Sequence, residues 1–595
     1  MRNHFFIYIL LVAFVFTACS EEEVQQEQID QKQLPKKDLN WETVFETSDG
    51  TKTVTYQEGI AYYKKLAKHF DQFHLLNFGT TDAGKPLHLG VLSPEGSYLP
   101  SNFKTKNVLL INNAIHPGEP DGVEASMMLV RDILEKKVDF ELKNTIIAII
   151  PFYNIGGALN RNTGTRANQD GPEEYGFRGN AQNLDLNRDF IKMDSKNMWA
   201  FAEIFHLTKP DLFIDTHVSN GADYQYTLTY LASHEDKLGV VGEFVREKMN
   251  PYMEQAMDKD GYPIVPYVNV WGTTPDKGYV QFFDSPRYSS GYAALFNVPS
   301  YVVETHMLKP YKERTLATYG FLKHAVKFLE SNGEALNVAK KQQFSLDSMA
   351  TALPVNWEAD MTQADTLLFK GYEGVMKKSE VSGFSRLFYD RTKPYEKAIP
   401  YYNALKVTEV ATIPDYYVIP MGWSKIVDYL KQNNIKVKQF KRDQALKVKV
   451  TYIDEYETVK TPYESHYLHY NIKTSTREEE VKVRKGDYIV KTNQPFVRFI
   501  IETLTPSAKD SYFAWNFFDA ILQQKEHFSA YVFEDKAKQY LDEDPELKKA
   551  FDEALKKDAS LRKNGYRQLE FIYDQTNHKE KSFMRYPIYS VYTEK

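Results

Sequence analysis

Four short stretches of this chain carry side chains that could act on a chemical bond. His116-Pro117-Gly118-Glu119 sets an imidazole and a carboxylate three positions apart, and Pro117 and Gly118 make a loop of the segment rather than a helix. Both side chains can then face one point. Zn²⁺ accepts N and O ligands of this kind, in a tetrahedron that keeps one position open when the site is catalytic. A second stretch, apolar from Asp211, ends in Asp215-Thr216-His217, and His217 would complete a three-ligand set. A third, Arg178 to Phe190, packs Arg178 and Arg188 with Asn180, Gln182, Asn183 and Asn187 into one segment. The fourth, Val302-Val303-Glu304-Thr305-His306, puts Glu304 at the end of a buried run, where a charge is either paired or functional. Taken singly each is weak. A His-x-x-Glu arises by chance, a histidine at a strand end is more often a hydrogen-bonded loop residue, and a polar loop is more often simply solvated.

The surrounding elements give these residues a common address. Val108–Asn112, Thr145–Pro151, Asp211–Asp215 and Tyr301–Val303 read as short, fully buried strands. Amphipathic helices are expected at Tyr56–Phe70 and about Gly122–Leu134, and a closing helix at Leu316–Leu329. Leu75–Gly79 and Leu87–Leu92 flank a Gly-containing turn and predict a hairpin. Buried strands separated by helices indicate an α/β fold with a mixed, largely parallel sheet flanked by helices. In such sheets the site lies beyond the carboxyl ends of the strands, and the residues named above mostly sit just there.

The Arg178 to Phe190 stretch, ending Asp185-Leu186-Asn187-Arg188, resembles the corresponding segment of the zinc metallocarboxypeptidases of the carboxypeptidase A and N/E type. The resemblance covers about residues 55 to 330. It implies that His116, Glu119 and His217 bind one Zn²⁺ and that Asp185 orients the first histidine. It also implies that Asn187 and Arg188 grip the free α-carboxylate of a peptide, a task for which a planar guanidinium fork is suited. By the same resemblance Arg178 stabilises the oxyanion and Glu304 is the general base that passes a proton to the leaving amine. The family's substrate-capping tyrosine is placed at Tyr288, with Tyr279 and Tyr292 as rivals. Two departures stand out. Pro-Gly separates the first two ligands, and the His217–Glu304 interval is long, leaving the specificity pocket open, although the nearby Arg287 points to acidic side chains.

The rest of the 595 residues sets limits. With 42% hydrophobic and 26% charged residues the chain is ordinary globular material, and a net charge of −6 gives no electrostatic reason for a nucleic-acid partner. The N-terminus has a basic start, an apolar run from Phe5 to Phe16 too short to span a bilayer, and Thr17-Ala18-Cys19, which resembles a lipobox. Residues 1–18 are thus expected to be a lipoprotein signal peptide, with Cys19 the acylated first residue of an outer-membrane lipoprotein that is exposed on the cell surface or faces inward. Residues 19–40 read as a charged tether. Its Ser20-Glu21-Glu22-Glu23 start resembles a surface-export signal or is a plain linker. Residues 41–335 are expected to be the zinc carboxypeptidase domain, 336–365 a polar linker, and 366–595 a mixed α/β accessory domain with no metal or nucleophile constellation. The expected activity is removal of C-terminal residues from peptides at the cell envelope. Hydrolysis of peptidoglycan stem peptides or amides is the alternative within the class. A catalytically inactive binding protein is the alternative outside it.

Overall fold

The computed structural model describes residues 40–593. Cys19 and the whole signal segment lie outside the described residues.

The strands are β1 (Phe73–Phe78), β2 (Leu87–Leu92), β3 (Asn107–Asn112), β4 (Thr145–Ile150), β5 (Leu212–Ser219), β6 (Leu228–Ala232), β7 (Ile264–Pro266), β8 (Tyr279–Val280) and β9 (Ser300–His306). All but β8 join one eight-stranded sheet in the order β1-β2-β4-β3-β5-β9-β6-β7. Its centre, β4-β3-β5-β9, is parallel; β1 and β2 run antiparallel to their neighbours, and β6 is antiparallel to β9 and parallel to β7. The central strands are buried along nearly their whole length, as their apolar runs require when both faces are covered.

The two faces carry separate cores because successive side chains alternate across a strand. Leu109, Ile111, Ile147 and Ile149 point to one side, packed with the helices Tyr56–His69, Asp121–Leu134 and Tyr311–Met349. Val108, Leu110, Ile146 and Ala148 point to the other, where the helix Lys196–Thr208 covers them. Beyond that helix the same core runs on without a break into Ile426, Tyr429, Phe499, Tyr512 and Trp515.

The expected boundary is corrected by this packing. The helix Tyr311–Met349 runs unbroken into the proposed 336–365 linker and is followed at once by the strand Ala352–Ala359. The described residues fall in one compact unit rather than in a catalytic domain with a detached accessory domain. Trp199 lies 5.8 Å from Tyr429 between ring centroids, Phe296 stacks on Phe499 at 5.3 Å, and the Tyr292 hydroxyl donates to Asn433 Oδ1 at 2.6 Å. The second half itself contains a strand–helix–strand element at Tyr416–Ile419, Ser424–Gln432 and Val437–Gln439. Two long hairpins accompany it, Asp365–Lys378 with Ser385–Tyr402 and Gln444–Thr458 with His469–Val483. Among the described residues no helix is long and apolar enough to cross a membrane.

Candidate active site

The turn after β3 and the ends of β5 and β9 meet at one point. The His116 turn is closed by the Glu119 N–H donating to the His116 carbonyl at 2.8 Å. A Cβ at Gly118 would lie 2.6 Å from Arg166 Cδ and 3.1 Å from the Gly176 carbonyl oxygen, so a larger residue there would displace the Arg166 side chain. In the parallel β5–β9 register His217 is paired with Glu304, so the two side chains share a face.

His116, Glu119 and His217 are 3–4% exposed, and each offers a donor atom within 4.8 Å of the others. Among the described residues they are the one such cluster. Glu119 sits between the rings, 3.2 Å from Nδ1 of His116 and 3.2 Å from Nδ1 of His217. The opposite ring nitrogens are both held by carboxylates: His116 Nε2 lies 3.0 Å from Asp185 Oδ1 and His217 Nε2 lies 2.9 Å from Asp215 Oδ2. A carboxylate behind each imidazole fixes the tautomer and makes Nδ1 the more basic donor, the arrangement that metal-binding histidines use. The donor set thus fits Zn²⁺: two imidazole nitrogens and a carboxylate, converging, with their outer atoms already braced.

Asp185 is central to the expected constellation. Burial works against its charge, but His116, Arg178 and Arg188 hold it well below the usual carboxylate range. Arg178 bonds it through Nε at 3.0 Å and Nη2 at 2.8 Å, while 45% of the Arg178 side chain stays exposed. Asn187 gives its Oδ1 to the N–H of Ser289, which leaves the amide NH₂ for the cleft it lines. Arg188 is stacked over the Tyr288 ring, 4.6 Å from its centroid. Glu304 is half-buried at the cavity wall, and burial pushes its carboxyl up to about 8, with His217 partly opposing and Glu119 and Asp215 adding to the rise.

A single cavity of about 760 Å³ touches His116, Glu119, Arg178, Asn187, Arg188, His217, Tyr288 and Glu304. Every expected metal-site and substrate-site residue except the braced Asp185 lines it. The rivals of Tyr288 are elsewhere: Tyr279 packs on Tyr401 and donates to the Pro266 carbonyl, and Tyr292 is wholly buried in the core. Arg287, expected to face acidic substrate groups, is instead spent on the buried Asp510, which takes its backbone N–H at 3.0 Å and its guanidinium at 2.5 Å and 2.9 Å.

Three residues were missed. Asp215 was legible in principle, since a carboxylate two positions before a histidine on a strand points to the same face. Arg166, bonded to Glu119 at 2.7 Å, lies in a polar loop with no spacing signal. Tyr267 lines the cavity, and its hydroxyl is kept protonated by burial and next by the charge of Glu304.

Comparison with known proteins agrees with this geometry. Residues 60–217 match the zinc carboxypeptidase family. That span contains all three donors, Arg178, Asp185, Asn187 and Arg188, and ends before Tyr288 and Glu304. That stretch of the chain is thus similar to a zinc carboxypeptidase domain. It is 21% identical over 491 residues to carboxypeptidase 2 of Trichophyton rubrum, covering 78% of this chain and 84% of that one. The carboxypeptidase 2 of Trichophyton equinum matches at 21% over 492 residues, with the same coverage. Among solved structures, a metallo-carboxypeptidase from Burkholderia cenocepacia aligns with a TM-score of 0.33 and 17% identity, over 47% of this chain and 70% of the other.

Proposed function

We propose that this chain is a zinc-dependent carboxypeptidase that removes C-terminal residues from peptides at the cell envelope, with His116, Glu119 and His217 holding one zinc ion. The observation that carries this reading is the convergence, in one cavity, of the three donors, a half-buried carboxylate at Glu304 and an arginine–amide pair at Asn187 and Arg188. When bound, zinc supplies Lewis acidity toward the scissile carbonyl and lowers the pKa of water.

The chain's own residues supply the rest. Arg188 and the Asn187 amide take the terminal carboxylate and so fix how far the peptide enters. Arg178, half-exposed at the cleft wall, swings from Asp185 toward the carbonyl oxygen as negative charge develops on it. Glu304 removes a proton from the attacking water and delivers it to the departing amine nitrogen. A group that must both accept and donate works best with a pKa near the working pH, and burial moves Glu304 in that direction. Tyr288 holds the face of the Arg188 guanidinium and borders the space the terminal side chain enters. The presence of every donor together with Glu304 weighs against an inactive binding protein.

The decisive experiment is digestion of a peptide library with and without chelator, read by mass spectrometry. Loss of single residues from free C-termini, abolished by chelator and restored by zinc, is the expected result. Internal cleavage, or cleavage indifferent to chelator, would overturn the reading.

The cell address rests on sequence alone: Thr17-Ala18-Cys19 and the charged segment after it support acylation at Cys19 and attachment to the outer membrane. Cys19→Ala should release the protein from the membrane fraction. Retention of that variant would refute the anchor.

A further inference from the structure

The second half reaches back to the carboxylate clamp through one tight turn. Tyr463 and His466 exchange backbone hydrogen bonds at 2.7 Å and 3.0 Å around Glu464 and Ser465. Both central residues are left-handed, with φ of +48° and +66°. A two-residue turn of this sort ordinarily calls for Asn-Gly or Asp-Gly, and non-glycine residues remain in it only where their surroundings hold them.

Those surroundings are the segment that carries Asn187 and Arg188. The Tyr463 hydroxyl accepts from Arg188 Nε at 2.9 Å. A Glu464 carboxylate oxygen accepts from the Asp185 backbone N–H at 2.8 Å. His466 Nε2 lies 2.7 Å from Asp194 Oδ2, and its Nδ1 lies 2.6 Å from Asn516 Oδ1. Three of the four turn residues therefore grip residues 185–194 by side-chain contacts. The turn is in its own right backed by the second half: the Tyr463 ring stacks on Trp515 at 6.0 Å and 18°, and Arg287, locked to Asp510, lies over both rings.

The contact with Arg188 is selective. Its Nε goes to Tyr463, its Nη1 goes to the Asn187 carbonyl at 2.7 Å, and its flat face lies on Tyr288. With those atoms engaged, the guanidinium is held in place at the wall of the cavity it lines. A flexible arginine would have to be ordered by each substrate, and removing that cost in advance is what raises affinity. We infer that Tyr463 is a positioning residue for terminal-carboxylate recognition, and that the turn Tyr463–His466 is the part of the second half that completes the clamp. This rests on the carboxylate role given above to Arg188.

The test uses the full-length zinc-loaded protein and one dansylated tetrapeptide made as the free acid and as the C-terminal amide. Tyr463→Phe keeps the ring on Trp515 and removes only the hydroxyl, so the fold is retained, checked by an unchanged thermal midpoint. For the free acid we expect KM to rise roughly tenfold with kcat little changed, as for loss of one hydrogen bond to a charged group. Calorimetric Kd should rise equally, and the amide should bind as before. In the Arg188→Ala background the same substitution should add nothing, because Tyr463 acts through that arginine. Unchanged free-acid affinity in Tyr463→Phe, or losses that multiply in the double variant, would overturn the inference. If the parent turns over no free-acid peptide, the proposed activity fails, while the acid-against-amide Kd still decides the role of Tyr463.

Discussion

His217 and Glu304 are direct neighbours across the parallel β5–β9 pair, one a candidate metal donor and the other a half-buried carboxylate on the same face. The register of two strands thereby sets the spacing between the metal centre and the group that moves protons. Strand pairing is far stiffer than a loop, and a slip of one residue would turn either side chain to the opposite face.

Glu304→Gln keeps the shape of that neighbour and removes its basicity. Hydrolysis should fall by about 10²–10⁴-fold in kcat while zinc stays bound at one per chain. Parallel kinetics and metal analysis check this; parental turnover in the variant would take the proton-transfer role away from Glu304.

Arg188→Ala should raise KM for free-carboxylate peptides by roughly 10- to 100-fold, the equivalent of one or two charge-assisted hydrogen bonds. The effect on C-terminally amidated peptides should be small. Equal loss on both would mean that the arginine supports the cleft wall without reading the terminus.

Asp215→Asn should weaken zinc binding by roughly 10- to 100-fold, because the carboxylate holds His217 Nε2 at 2.9 Å and also accepts from the Ser289 hydroxyl. Competition with a fluorescent chelator measures this. Zinc affinity equal to the parent's would show that the His217 ring is held by its strand alone.

Acid should loosen the seam between the halves. Burial depresses His206 from its ordinary 6.5 to about 4, with the Asn433 contact partly opposing and Lys209 adding to the drop. The unfolded chain takes up that proton first, so the stability is present above about 6.5 and is lost as pH falls toward 4. One proton corresponds to at most ~1.4 kcal/mol per pH unit. His88 and His306, also depressed to about 4 by burial, act in the same window. His206→Gln should flatten the fall in thermal midpoint between pH 6.5 and 4; an unchanged slope would show that the other histidines carry all of it.

Much of the first half was readable because its strands are uninterrupted apolar runs. Thr145–Ile150 is Thr-Ile-Ile-Ala-Ile-Ile and has no solvent-facing side. The donors were readable because each sits where such a run ends. The misread linker has a physical cause. In the last turns of Tyr311–Met349 the buried stripe is Gly333, Leu336, Ala339, Lys340, Gln343 and Asp347, which keeps helical spacing but uses few large apolar residues. Lys340 and Asp347 are satisfied there by Asp211 and Asn297, partners no local pattern could disclose. The hairpin at 365–402 escaped notice because much of its length is exposed and its buried side chains, Phe369, Ile399 and Tyr401, are confined to one end. Arg287 misled for the opposite reason, since its partner Asp510 lies more than two hundred positions away.

The turn at Tyr463–His466 sets an order on biosynthesis. A ribosome delivers His116, then Arg188, then His217, then Glu304, and each of these precedes Tyr463 in the chain. All of these residues are therefore synthesised before the segment that holds the arginine in place. Until the later segment has emerged and docked, the Arg188 guanidinium lacks its Tyr463 partner, so a chain that stops short of that turn would hold a terminal carboxylate less firmly.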